Sequence, residues 1–330
     1  VVIFGVLTFA QAGGQEAAEK FANATSSGIA LGAIYALLAL GLVLIYKATQ
    51  VLNFAHGAIA ALGAFFAAYL ATVINFPGRY VSFAPTAIQW ILSALVAVVL
   101  TAAVGLVLER LAIRPMIGEP LFSVVMITIA LDIVIRTITN DLIGANPRPL
   151  GDPWGADVID LGPAVIAKSE VATVIVTIIC LVGIALFFRS RYGIAMRATA
   201  FDQEAAMAQG ISAGRIFAMA WAIGAGLAAI AGIFSSLFPR SSVGVGTTTA
   251  FFAFRALPAI VIGGLDSITG AVLGGFIVGL AESYAGAYIA GPSWAFLGLG
   301  FAGVMPYIVM LVVLLVRPYG LFGTEEIRRV

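Results

Sequence analysis

Few side chains in this sequence are equipped for chemistry, and most of those few stand inside apolar runs. Asn53, His56 and Gly57 occur together as NFAHG at the head of one such run. Unpaired polar groups in hydrocarbon are destabilising, so an Asn and a His placed there must face other helices or a cavity. Two readings stay open: pathway-lining hydrogen-bond groups at a broken helix start, or Asn53 capping the helix that follows with His56 bonded to a neighbour. Asp132 and Arg136 are four apart and share one helix face. Intramembrane ions are paired as a rule, so an ion pair is the default and a proton or ion relay the alternative. Glu282 reads as isolated, near the outer end of its segment and facing protein. With one histidine and one cysteine in the chain, a bis-His haem, a disulfide framework and a Cys-based metal site are all excluded. Cys180 reads as a buried, inert thiol, and no catalytic centre is expected.

The elements that must position these groups follow from composition. Of 330 residues 10% are charged and 62% hydrophobic, and the mean hydropathy is +1.09, whereas a soluble domain is about a quarter charged and about half apolar. The bulk of the chain belongs in lipid, as an all-α, polytopic integral membrane protein. A bilayer core about 30 Å thick needs ~20 apolar residues per helix, and uncharged runs of that order occur at Ser26–Tyr46, Ala48–Gly78, Tyr80–Leu108, Val171–Phe188, Ile216–Pro239 and Ser283–Val316. The net charge is +1 with scattered basic residues, so no nucleic-acid surface is expected.

Loop charge sets an expected orientation, because Lys and Arg close to membrane ends stay on the cytoplasmic side. Arg110 and Arg114, then Arg189, Arg191, Arg197 and Arg215, then Arg317, Arg328 and Arg329 mark three cytoplasmic segments. Asn140–Glu170 carries Asp141, Asp152, Asp157, Asp160 and Glu170 against Arg148 and Lys168 and reads as external. These assignments fit crossings near Ser26–Tyr46, Phe54–Asn75, Thr86–Leu108, Leu121–Thr139, Val171–Phe188, Ile216–Phe238 and Ala295–Val316, with the N-terminus outside and the C-terminus cytoplasmic. Seven crossings leave Ala256–Ala290 over. Gly263 to Ser267 interrupt its apolar run, so it is expected to be a re-entrant half-helix pair entering and leaving on the outer side, which gives about eight membrane segments. The alternative is one long helix kinked at the glycines. Residues 1–12 resemble the end of a signal peptide with an Ala-x-Ala site, or else a short anchor; 1–27 is taken as an extracytoplasmic segment.

The most informative soluble segment is 189–215. Phe201 to Gln209 is dense in good helix formers and ends at Gly210, a natural C-cap. Nine residues make a helix only about 13 Å long, too short to stand without packing. Either this protein's own helix ends hold it or a groove on a partner does; Phe201 and Met207, apolar residues on a loop, favour the partner.

The order GAIYALLALGLVLIY, NFAHG, ERLAIRP, MRATAFDQEAAMAQGI, VIGGLDSITGAVLGG and PYGLFG resembles the membrane permeases of branched-chain amino acid ABC importers (LivH/LivM type), with relatives that take urea or short amides. The resemblance covers 28–323 as one permease domain, with 324–330 as a cytoplasmic tail, and NFAHG is similar to the LivH-type subunit. It implies a LivM-type sister permease in a heterodimer, two cytoplasmic ATPase subunits and an extracytoplasmic substrate-binding protein, in a bacterial inner membrane. ATP and Mg would sit on the ATPases, with no cofactor bound by this chain. It also implies that Arg197, Asp202, Glu204, Ala205 and Gly210 dock the ATPase, and Phe201 is assigned with them as an apolar residue presented on the loop. Asn53, His56, Gly57, Arg255, Gly263, Gly264, Asp266, Ser267 and Thr269 are assigned to the translocation path. Arg255 stands where relatives usually carry Lys, and Asp266 and Thr269 replace a Gly and a Pro; the added carboxylate either favours a substrate with an ammonium group or pairs with Arg255, and the pairing is expected. The implied function is alternating-access import of branched-chain amino acids, with urea, short amides or other amino acids as alternatives. An ion-coupled carrier or channel is the competing class, and a structural membrane anchor is weaker because it has no use for Gly-interrupted helices.

Overall fold

The computed structural model describes residues 14–116, 118–144, 146–289 and 300–323. The expected signal-like segment 1–12, Arg328, Arg329 and the rest of 324–330 lie outside these residues.

Apolar segments that must satisfy their own amides in lipid become helices, and the described chain is almost entirely helical. Its elements are α1 (Gly14–Thr49), α2 (His56–Tyr69), α3 (Thr86–Leu108), α4 (Leu121–Ile143), α5 (Lys168–Arg189), α6 (Arg191–Phe201), α7 (Gln203–Ala208), α8 (Ala213–Ser235), a 3-10 stretch (Thr249–Ala256) that runs into α9 (Leu257–Gly263), α10 (Ile268–Tyr288) and α11 (Phe301–Val316). A two-stranded antiparallel ribbon, β1 (Val158–Asp160) and β2 (Val165–Ala167), pairs Val158 with Ala167. Among the described residues seven helices are long and apolar enough to cross a membrane: α1, α2 with its π-helical extension to Ile74, α3 with its extension to Met116, α4, α5, α8 and α10.

α1 occupies the centre. Every residue from Ala30 to Ile45 is buried, as a helix apolar on all sides requires. Its 36 residues make a rod about 54 Å long, so the polar start expected as a separate segment is about three further turns of the same helix. α3, α4 and α5 lie at the periphery and leave Leu95, Val99, Ile133, Ile138, Ile175 and Ile179 exposed, the surface a bilayer covers.

α10 runs antiparallel along α1. A Cβ placed on Gly279 would lie 2.2 Å from the Gly32 nitrogen, and one on Gly275 2.5 Å from the Ala36 nitrogen, so the two backbones touch, the close approach that small residues permit in membranes. Thr25 shares a 2.8 Å hydrogen bond with the Tyr284 hydroxyl near one end, and Lys47 Nζ donates to the Asp266 carbonyl (3.0 Å) near the other.

This register locates the turn of the expected re-entrant pair. The chain folds back at Gly264 (φ +100°), and Gly263 meets Gly270 while Ala259 meets Gly274, so it is a hairpin and not a kinked single helix. The hairpin turn lies at the Lys47 end of α1, the end that also carries Arg197. Its second limb, α10, has 21 residues and is itself long enough to span. The reason is that Ile268–Tyr288 is largely apolar and has no proline to break it, while its glycines let it lie directly on α1. α11 has 16 described residues; the expected start of that crossing at Ala295 lies in 290–299, outside the described residues.

The 140–170 segment sits at the opposite end, where Asn23 Oδ1 accepts from the Val165 amide (2.7 Å). Gly279→Leu is expected to overpack the α1–α10 contact by at least the ~1–3 kcal/mol typical of such insertions, visible as reduced yield and a lowered Tm in detergent. Gly286→Ala, whose added methyl would meet Ala302 Cβ at 3.7 Å, is expected to be neutral or mildly stabilising in the same measurement.

Candidate functional site

Three regions carry the predicted site residues. The first is the α6–α7 corner. Ser190 caps α6 and Asp202 caps α7, its Oδ1 accepting from the Ala205 amide at 2.9 Å. The short helix is therefore Gln203–Ala208, not Phe201–Gln209: Phe201 ends the preceding helix because the Asp202 side chain starts the next. At the far end the Ile211 amide donates to the Ala206 carbonyl (3.1 Å) and the Gly210 amide to the Met207 carbonyl (2.9 Å), with Gly210 at φ +82°. That is a Schellman closure, which needs a residue tolerant of positive φ. Met196, Thr199 and Ala206 face inwards, while Arg197, Glu204, Ala205 and Met207 are exposed and Phe201 is 95% exposed.

A clamp holds this corner. Glu109, buried at the end of α3, accepts both Nε (3.0 Å) and Nη2 (2.9 Å) of Arg114, and Nη2 also donates to the Gly214 carbonyl (2.9 Å) at the start of α8. A bidentate pair of this kind fixes orientation as well as position. ERLAIRP was legible as a motif, but its role needed the contact with Gly214.

The second region is the hairpin turn. Ser267 Oγ accepts from the Gly270 amide (3.0 Å) and so caps α10. The segment Tyr319–Gly323 folds against α9: the Leu321 amide donates to the Ile262 carbonyl (2.8 Å) and the Phe322 amide to the Gly263 carbonyl (3.1 Å). PYGLFG is thus the cap that satisfies the last carbonyls of α9. Thr269 lines a cavity of about 460 Å³ together with Lys47, Phe188 and Arg197, which places the turn across this cavity from α6.

The third region lies further along the bundle. Asn53 Oδ1 accepts from the Ala55 amide (3.0 Å), an Asx turn, so Asn53 shapes the bend before α2 and is not its N-cap; that position is Ala55. His56 is buried, and the imidazole fits because Gly41 has no side chain: a Cβ there would lie 2.9 Å from Cε1. The Leu38 carbonyl approaches the ring, yet neither ring nitrogen meets a partner at good hydrogen-bond geometry. Gly57 packs on the Ala250 carbonyl, and Asn53, His56 and Gly57 surround a small gap with Ala253, Phe254 and Leu257.

Arg255, on the same 3-10 stretch, does not pair with Asp266. Its Nη1 donates to Glu282 Oε1 (2.9 Å), and the Tyr35 hydroxyl donates to Glu282 Oε2 (2.6 Å). The expected pairing fails because the hairpin turn lies at the other end of α10 from Glu282. Glu282 is accordingly not isolated; it is buried with both oxygens bonded. Tyr35 was missed, although a hydroxyl in the middle of the apolar run GAIYALLALGLVLIY was the available signal. The residues assigned to one path thus fall into two groups: Asn53, His56, Gly57 and Arg255 in one, Gly263, Gly264, Asp266, Ser267 and Thr269 in the other.

Asp132 Oδ2 lies 2.9 Å from Arg136 Nη2, and the guanidinium stacks on Phe251 at 4.8 Å. A further pair, unanticipated, joins Arg240 to Glu170 (3.0 Å), with Ser27 Oγ on the same carboxylate oxygen (2.8 Å). Cys180 is free but only half-buried, so the expectation of a buried thiol is corrected: it sits on α5, one of the peripheral helices. Among the described residues no three His, Cys, Asp or Glu side chains gather as a metal site.

Residues 24–315 match the family model described as branched-chain amino acid transport system / permease component. The chain is 30% identical over 310 residues to the high-affinity branched-chain amino acid transport system permease protein BraD of Pseudomonas aeruginosa, covering 92% of this chain and 96% of that one. It is 29% identical over 316 residues to the corresponding protein LivH of Salmonella typhimurium, with the same coverage. It is 31% identical over 302 residues to a probable branched-chain amino acid transport permease protein LivH of Methanocaldococcus jannaschii, covering 88% of each.

Removing one member of a buried pair strands its partner, at ~3–5 kcal/mol for full burial. Because Arg255 is half-exposed, Glu282→Ala is expected to destabilise by about 1–3 kcal/mol and Glu282→Gln by less. A double-mutant cycle with Tyr35→Phe, read by thermal unfolding, should show coupling between the two positions.

Proposed function

The chain belongs to the branched-chain amino acid transport system / permease component family, and on that premise we propose that it is the membrane-spanning permease subunit of an ATP-driven importer of branched-chain amino acids. The observation that carries the energy-coupling half of this reading is Phe201: a phenylalanine 95% exposed on a rigidly capped helix corner, at the Arg-rich end of the bundle. An exposed apolar anchor with Glu204 and Met207 beside it suits a groove on another protein.

On this reading the Arg-rich end is cytoplasmic, by the positive-inside rule, and the α6–α7 corner docks one of two ATPases. The C-terminal segment Tyr319–Gly323 is then cytoplasmic and the N-terminus outside. A LivM-type sister permease completes the pore, and an extracytoplasmic binding protein delivers solute at the end that carries 140–170. ATP and Mg belong to the ATPases.

The chain of contacts supplies a mechanical route. Movement imposed at the corner passes along α6, which packs directly on α1. The hairpin turn is bound to Lys47 and to the C-terminal cap, and α10 is locked to α1 by glycine contacts. α1 and α10 therefore move as a unit and carry with them Tyr35, midway along α1, and Glu282, towards the 140–170 end of α10. Alternating access is this displacement applied to a path whose walls open to one side at a time. No bond of the solute is made or broken.

Phe201→Ala removes a side chain that touches almost nothing in this chain, so stability should change by no more than about 0.5 kcal/mol. Uptake by membranes containing the full transport system is expected to fall at least about tenfold, as for loss of an interface anchor. Glu204→Lys is expected to give the same loss with the chain still inserted. Unimpaired uptake in both variants would remove the corner from the mechanism.

A further inference from the structure

A cavity of about 530 Å³ opens beyond the end of α8, between the 236–248 segment and the 3-10 stretch, and Arg240 and Arg255 both line it. No Asp or Glu is among its lining residues. The two carboxylates that balance these cations, Glu170 and Glu282, stand behind them and are buried. Arg240 Nη2 donates to both the Ser27 carbonyl and Glu170, its Nε is buried without a partner, and its side chain is only 16% exposed. Arg255 is the more open of the two. Its side chain is 46% exposed, and the ion pair with Glu282 runs through Nη1. A guanidinium has five donors in a planar fork, so an open edge remains that can take a carboxylate with two parallel hydrogen bonds.

The rest of the wall is divided. Ser236, Thr247 and Thr248 bring hydroxyls, and Phe251 and Phe252 bring aromatic surface. The size is that of a small-molecule pocket. A partly neutralised cation, hydroxyls and an apolar wall within one cavity match a zwitterion with a hydrocarbon side chain. They match urea or a short amide less well, since a neutral carbonyl oxygen accepts from an arginine fork without the bidentate ion pairing that a carboxylate adds.

We infer that this cavity is a holding station for the transported amino acid, with its carboxylate on Arg255 and its side chain on the Phe251–Phe252 wall. Glu282 and Tyr35 are positioning residues: they fix the guanidinium and temper its charge so that the carboxylate is held and then released. Because Glu282 rides on α10 and Tyr35 on α1, displacement of that helix pair would disturb the holding geometry. The inference rests on the transport reading above and adds where, and by which group, the solute is recognised.

The test uses the complete transport system in proteoliposomes, with Cys180→Ser as background and Thr247→Cys as a reporter labelled by a membrane-impermeant thiol reagent. Leucine is expected to slow labelling about tenfold, the scale of a charge-assisted hydrogen bond, and leucinamide and urea to leave it unchanged. Arg255→Gln should abolish protection by leucine while the rate without ligand is retained, and Arg255→Lys should keep a weaker protection. Protection by leucinamide equal to that by leucine, protection that survives Arg255→Gln, or none in a complex that transports leucine would each overturn the station. A complex that transports no branched-chain amino acid would overturn the transport reading instead, and the two failures are distinguishable.

Discussion

Two helices whose backbones touch hold the remainder of this molecule in place. Lipid tails are as apolar as leucine, so burying hydrocarbon does little to choose one helix partner over another. What chooses is close approach, and Gly32 against Gly279 with Gly275 against Ala36 brings α1 and α10 together. The other membrane helices are arranged around that pair. α8 lies on α1 through Gly224 and Gly41, and α2 meets α8 where Gly232 admits the Ala60 carbonyl. A side chain at any of these positions would push a helix outwards and shift everything beyond it.

The ions obey the same logic. Glu109, Asp132, Glu170 and Glu282 are all buried, and each has an arginine within 3.0 Å. Three of these pairs join parts of the chain far apart in sequence or extend to a third segment: Arg114 to Gly214, Arg240 to Ser27 and Glu170, and Arg255 to Glu282 and Tyr35. Their geometry matters more than their net contribution, since desolvation offsets much of the attraction in a buried pair. They fix which end of each helix meets which neighbour.

Helices and spans were legible because a membrane segment is written in composition: the runs over Thr86–Leu108 and Val171–Phe188 need only a count of apolar residues. Asp132 with Arg136 was legible because spacing along one helix is local. What could not be seen was non-local. Asn53 looked like a cap, and only the bond to the Ala55 amide shows the turn it makes. Arg255 and Asp266 are close in sequence, and their pairing looked natural; the length of α9 carries the hairpin turn away from Arg255 and leaves Glu282, 27 residues on, beside it. PYGLFG could be noticed but not explained until its amides were seen on the carbonyls of Ile262 and Gly263. The 236–248 wall of the cavity carries no periodicity and gave no signal.

A rigid corner at one end, a glycine-locked helix pair through the middle and an arginine-lined cavity at the other form one connected path. On the proposed function, work enters at the corner from an ATPase and drives solute inwards. Proteoliposomes that hold this chain with the proposed sister permease and ATPases test it most directly, with the proposed binding protein and labelled leucine on the side of residues 140–170. Accumulation is expected only when ATP is present on the side of residues 189–215, with no effect of dissipating ion gradients. Leucine uptake by this chain alone, without nucleotide and driven by a proton or sodium gradient, would contradict the account.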